Sequence, residues 1–69
     1  MKIREGYGLF LTGKRVEKGL TMRKLSEQSG VPAMKISSIE LEKTEGFSLH
    51  DLTNYLKALE IPLSEVVYE

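Results

Sequence analysis

The apolar residues of this chain recur at helical spacing along its length, and no segment sustains the alternation that a β-strand requires. Capping residues, glycines and prolines divide this pattern into short segments. The chain has 69 residues and no cysteine, so disulfides cannot stabilise it and packed helices must form its core. We therefore expect an all-α fold: a compact bundle of about five short helices, forming one domain over residues 1–69.

Caps and breaks set the expected helix boundaries. The helices are predicted at residues 7–18, 22–29, 32–42, 49–59 and 62–67. Gly19 ends the first helix and Gly30 lies at the break between the second and third. Thr21 caps the second helix, and Ser48 and Asp51 form a capping box at the fourth. Leu49, Leu52, Leu56 and Leu59 are expected to form the apolar stripe of that fourth helix.

The composition gives no indication of catalysis or of a cofactor. The chain has no cysteine and His50 is its single histidine, which excludes a cysteine-based zinc site and leaves no plausible histidine-containing metal cluster. No nucleophile–base pair, carboxylate pair or glycine-rich phosphate loop stands out. The first residues lack the apolar core of a signal peptide, and no segment is long enough to span a membrane. We expect a cytoplasmic binding protein that is not an enzyme.

The charges are unevenly distributed although the net charge is zero. Residues 14–43 carry a net charge of +3, whereas residues 44–69 carry −4. Arg23 and Lys24 lie in the first turn of the predicted second helix, where the helix dipole disfavours cations. Either these side chains extend into solvent, or a bound phosphate accepts hydrogen bonds at this helix start.

The region between residues 21 and 42 has the pattern of a helix-turn-helix. This motif needs a small residue where its helices touch, a turn residue that tolerates positive φ, and apolar residues around the second helix. Ser26 and Gly30 meet the first two requirements. The apolar positions are Leu25, Val31, Ile36 and Ile39.

Over about residues 8–67 the chain resembles the lambda-repressor-like family of helix-turn-helix regulators, also called Cro-type or XRE. The residues that carry this resemblance are Glu17-Lys18-Gly19-Leu20-Thr21, Leu25-Ser26, Gly30-Val31, Ile36-Ser37-Ser38-Ile39-Glu40 and the capped fourth helix ending Ala58-Leu59. The resemblance implies sequence-specific binding of double-stranded DNA by a transcriptional regulator, most simply a repressor, with the third helix in the major groove.

The resemblance also implies particular site residues. The base-facing positions are Ala33, Met34, Lys35, Ser37 and Ser38, with Lys35 at the edge. The phosphate contacts are Thr21, the Met22 backbone, Arg23, Lys43 and Thr44. Arg15 and Glu40 are expected to form a largely buried ion pair.

The chain departs from the family at the positions that read DNA. Met22 replaces a common glutamine, Pro32 replaces a polar residue, and Leu41 and Glu42 replace the usual Arg or Asn and Gly. No Arg, Asn or Gln faces the bases, so Ala33 and Met34 would pack against groups such as thymine methyls. Alternatively, Met34 fills a gap in the core.

Two copies of the chain are expected to form a homodimer through the predicted fifth helix and the end of the fourth, and this dimer would read a pseudo-palindromic operator. The dimerisation segment is predicted at residues 60–69, with Leu63, Val66, Val67 and Tyr68 at the interface. Two alternatives stay open: these side chains pack inside the monomer, or residues 66–68 pair as a strand with residues 2–4. A second functional reading is a protein-interaction module or an antitoxin-type protein of the same fold.

Overall fold

The computed structural model describes residues 2–68 and is predominantly α-helical in that range. The helices are α1 (Tyr7–Glu17), α2 (Met22–Ser29), α3 (Ala33–Glu40) and α4 (Leu49–Leu59). The 3-10 turns are Thr44–Gly46 and Leu63–Glu65, and the strands are β1 (Lys2–Ile3) and β2 (Val67–Tyr68). The all-α expectation is confirmed, with four α-helices in the described range rather than about five.

The helix starts follow from local capping chemistry. Thr21 Oγ1 accepts a hydrogen bond from the backbone N–H of Lys24 at 3.0 Å, and Gly30 ends α2 in the left-handed conformation, with φ 77°. Ser48 and Asp51 cap α4 reciprocally, as expected. These local signals explain why α2 and α4 have the predicted bounds.

The start of α1 depends instead on a contact with the end of α3. Gly6 offers no side-chain cap, and the N–H of Gly8 donates to Glu42 Oε2 at 3.1 Å. The α-carbon of Gly8 packs so closely on the backbone carbonyl of Glu40 that a β-carbon there would collide with it. Glycine is therefore required at position 8 for the two helices to approach.

The core is formed by side chains from all four helices and the last segment of the chain. Its fully buried members are Leu11, Leu25, Val31, Ile36, Ile39, Leu52, Tyr55, Leu56, Leu59 and Val66. The predicted stripe of α4 is wrong at Leu49, which is half exposed, because the buried face of α4 is centred on Leu52 and Leu59 and includes Tyr55.

The predicted fifth helix is wrong. The turn Leu63–Glu65 ends at Val66, whose backbone is still in the right-handed helical region, and the chain becomes extended at Val67. Strand β2 pairs antiparallel with β1 through Ile3 opposite Val67 and Lys2 opposite Tyr68. The N–H of Arg4 also donates to the carbonyl of Val66 at 2.6 Å. The β-branched Val67 favours an extended backbone, and β1 offers it a partner that helical periodicity does not reveal.

The two-stranded ribbon that β1 and β2 form also changes the predicted dimer interface. Val66 is fully buried within the monomer, so it cannot contact a second copy, and Val67 is half buried in its pairing with Ile3. Leu63 and Tyr68 remain exposed. Residue 69, the last of the predicted segment, lies outside the described residues, as does Met1.

Candidate nucleic-acid interface

The outer face of α3 is apolar and exposed. Met34 is 83% exposed and Leu41, at the end of the helix, is 62% exposed. A helix turns about 100° per residue, so these two residues, seven apart, lie on one face opposite the buried Ile36 and Ile39. Met34 therefore does not fill a core gap.

The other predicted base-facing residues occupy different parts of the helix surface. Ala33 is exposed and Ser37 is half buried on one flank of that face. Ser38 is half buried on the other flank, where its hydroxyl and β-carbon lie against Gly46. Lys35 does not join them, because its Nζ is 3.2 Å from Asp51 Oδ2 at the start of α4.

At the start of α2, the predicted phosphate contacts differ in how available they are. Thr21 Oγ1 accepts the cap hydrogen bond from Lys24, which leaves the hydroxyl proton able to donate to a phosphate. The Met22 side chain packs against the core, leaving its backbone as the part available to a ligand. Arg23 and Lys24 are exposed and share one acidic neighbour, Glu27, at 3.7 and 3.9 Å. Two cations against one carboxylate leave this end of α2 positive.

The segment after α3 presents a further cation. Lys43 and Thr44 are both exposed. Glu42 has a left-handed backbone, with φ 60°, and its carboxylate accepts the hydrogen bond from Gly8 at the positive end of α1. The acidic side chain closest to Lys43 in sequence is thus directed towards α1.

A buried polar network holds the end of α3 against α1 and α4. Glu40 accepts hydrogen bonds from Arg15 Nε at 2.8 Å, Arg15 Nη2 at 3.1 Å, Thr12 Oγ1 at 3.0 Å and Tyr55 OH at 2.6 Å. The side chains of Arg15 and Glu40 are 12% and 4% exposed. The ion pair expected from the resemblance is therefore present, and four hydrogen bonds satisfy its carboxylate.

Arg15 also brings the two cationic segments together. Its Nη1 donates to the carbonyl of Leu20 at 2.7 Å, directly before the α2 cap. The same guanidinium holds Glu40, three residues before Lys43. One side chain thus fixes the start of α2 beside the end of α3.

The network shifts the proton affinities of its members. Burial opposes ionisation of Glu40, but the hydrogen bonds from Arg15, Tyr55 and Thr12 outweigh it and hold the pKa of Glu40 below its ordinary value. Burial and the adjacent Glu40 carboxylate raise the pKa of Tyr55 well above its ordinary value. At the start of α4, mainly the backbone N–H of Ser48 lowers the pKa of Asp51.

These pKa shifts predict that the free energy of unfolding has a plateau near neutral pH. It should fall at acid pH (the acid limb) and at alkaline pH (the alkaline limb). A lowered carboxyl pKa contributes stability above the unfolded value of about 4 that is lost as pH falls, and a raised tyrosine pKa contributes stability below about 10 that is lost as pH rises. Urea unfolding across this range should show both losses. Glu40→Gln should lower the neutral plateau and flatten the acid limb. An acid limb of unchanged slope in Glu40→Gln would contradict the assignment to this carboxyl.

Sequence reasoning missed the partners that are distant along the chain. Tyr55 and Thr12 complete the network around Glu40, and Asp51 holds Lys35. The helical spacing of Thr12 and Arg15 on α1, three residues apart, was the available signal for Thr12. Tyr55 gave none, since a tyrosine on an apolar helix face has the same pattern as any core aromatic.

Comparisons of the chain with protein-family models, with curated proteins and with solved structures found no match. Within residues 2–68, no helix has the length and apolar character needed to cross a membrane. In the same range, no three His, Cys, Asp or Glu side chains are grouped so that they could hold a metal ion.

Proposed function

We propose that this protein is a sequence-specific double-stranded DNA-binding transcriptional regulator, a repressor, that acts in the cytoplasm by binding rather than by catalysis. In this proposal α2 and α3 form a helix-turn-helix, with α3 in the major groove and α2 across the sugar-phosphate backbone. One observation carries it: Arg15 gathers the cationic start of α2 beside the end of α3, whose outer face is exposed.

The positions of the exposed cations support this arrangement, although the net charge of the chain is zero. Arg23, Lys24 and Lys43 are all exposed, and they lie on the two segments that Arg15 joins. Phosphate contacts of this kind fix the register of a protein on duplex DNA, while a helix in the groove meets the base edges. Glu42, which would repel phosphates, is directed towards the start of α1.

We further propose that two copies bind one pseudo-palindromic site. The eight residues of α3 extend for about 12 Å, which reaches only a few base pairs. Two copies related by a two-fold axis would double that reading length. Of the residues first assigned to the dimer interface, Leu63 and Tyr68 remain available, because both are exposed.

Selection of bound sites from random duplex DNA tests the proposal and should yield a site with two-fold symmetry. Lys43→Ala should weaken binding to all duplexes similarly and lower the slope of log affinity against log salt by about one per copy bound. Met34→Ala should change base preference at a few positions without changing stability, since its side chain is almost fully exposed.

Lys57→Ala is the control, because Lys57 is an exposed cation on α4 and so lies outside the segments assigned to phosphate contacts. Since Lys57 shares a groove with Leu63, the variant is compared with the parent protein only where sedimentation shows the same oligomeric state for both. It should leave affinity and salt slope nearly unchanged. Equal losses in Lys57→Ala and Lys43→Ala would show that the attraction is not localised at α3.

A second candidate is a protein-interaction module of the antitoxin type. Leu9 is 82% and Val16 61% exposed, and they lie seven residues apart on the face of α1 opposite the core. Binding of a protein through such a face depends weakly on salt, whereas DNA binding weakens steeply as salt rises. Salt titration of any partner recovered therefore separates the two functions.

A further inference from the structure

The outer face of α3 exposes mainly apolar side chains and lacks groups that make two-point hydrogen bonds to bases. Ala33, Met34 and Leu41 are exposed, whereas Ser37 is half buried beside them. None of these four carries an amide, guanidinium or carboxylate group, so none can make the two-point hydrogen bonds that distinguish guanine or adenine. The one cation of the helix, Lys35, is held by Asp51.

In the major groove an apolar side chain has one apolar counterpart on the bases. This is the C5-methyl group of a pyrimidine, present on thymine and on 5-methylcytosine and lacking on cytosine. Met34 and Leu41 are separated by about 10 Å along the helix, which spans about three base pairs. A flexible methionine adapts its shape to such a group.

The surroundings of this face favour DNA as its occupant over an apolar protein surface. Arg23, Lys24 and Lys43 are exposed, and Arg15 joins the segments that carry them. An apolar strip close to cations complements a groove whose floor carries methyl groups and whose edges carry phosphates.

We propose that α3 recognises its site chiefly through C5-methyl groups of pyrimidines, which Met34 and Leu41 contact in the major groove. This inference rests on the proposed function and specifies the chemistry that its site reads. Hydrogen bonds from Ser37 and Ser38 then contribute little discrimination, since a hydroxyl serves either as donor or as acceptor.

The test uses the duplex obtained by selection, with single thymines replaced by deoxyuridine, which removes only the methyl group. Binding should weaken about fourfold for each contacted methyl, the equivalent of one buried methylene. At the same positions, the protein should bind a duplex with a 5-methylcytosine–guanine pair more tightly than one with a cytosine–guanine pair, by a similar factor. If affinity differs only between the thymine and deoxyuridine duplexes, the recognised group is the methyl of thymine. If it differs only between the 5-methylcytosine and cytosine duplexes, the recognised group is the methyl of 5-methylcytosine.

Two variants show whether the methyl effect comes from α3. Met34→Ala should abolish the thymine–uracil difference at one or two positions, whereas Lys43→Ala should weaken both duplexes equally and preserve it. This inference would be overturned, and the proposed function would stand, if duplex binding depends on salt but removing the methyl group changes affinity neither at thymine nor at 5-methylcytosine. If no duplex binds at any salt concentration, both are wrong, and the face of α3 serves another partner.

Discussion

Replacing Arg15 by methionine should unfold the domain or lower its thermal midpoint by at least about 12 °C. The substitution leaves the Glu40 carboxylate buried beside α1 without its cation, and loss of one partner of a buried pair costs about 3–5 kcal/mol. It also frees the carbonyl of Leu20. Since a domain of fewer than about 70–80 residues rarely gains more than about 3–5 kcal/mol of stability from its core, this loss removes most of it. Thermal unfolding followed by circular dichroism measures the effect.

Two further variants separate this mechanism from a general loss of charge. Arg23→Met removes a cation from an exposed pair with Glu27 and should leave the midpoint nearly unchanged. The double variant Arg15→Met with Glu40→Leu removes both charges and should recover much of the stability, because an apolar replacement leaves no unpaired carboxylate. A double variant less stable than Arg15→Met would refute the buried-charge explanation.

Gly8→Ala should destabilise the domain although alanine is the better helix former. The new methyl group would collide with the backbone carbonyl of Glu40, which the network around Glu40 prevents from moving freely. Overpacking of this kind typically costs about 1–3 kcal/mol, and a backbone obstacle places it at the upper end. Urea unfolding gives the change in the free energy of unfolding.

The same helix provides the control. Gly13 lies in the interior of α1, and a β-carbon there would meet open space. Gly13→Ala should therefore stabilise the domain by about 0.5–1 kcal/mol, the ordinary difference between glycine and alanine within a helix. Opposite signs at positions 8 and 13 identify the α1–α3 contact as the cause. If both variants gain stability, the helices are not in close contact at Gly8.

Local chemistry explains which parts of the fold could be predicted. Thr21 and Gly30 bound α2, and Ser48 with Asp51 starts α4, because each acts on backbone groups within three or four residues. Val66 shows the converse. A valine near a chain end fits a buried strand, a dimer surface or a short helix equally well, and only its pairing partner, distant in sequence, decides between them.

In the candidate site, too, local sequence predicts the position of some residues, whereas contacts with distant residues set the position of others. Helical periodicity places Met34 on the face of α3 opposite Ile36, and the structure exposes it. Lys35 is one residue further along, yet its direction is set by Asp51 on another helix, which no local pattern encodes. The left-handed Glu42 is a similar case, because its carboxylate stabilises the start of α1 from the end of α3.

The ribbon of β1 and β2 has a consequence for the order in which the molecule assembles. Contacts within the pair α2 and α3 join neighbours in the chain, whereas the ribbon joins residues separated by nearly its whole length. Closing so long a loop costs more conformational entropy than closing a short one, and two-residue strands return little of it. We therefore expect the helices to pack before the ribbon closes, and Val66, which is fully buried, to be among the last side chains to enter the core.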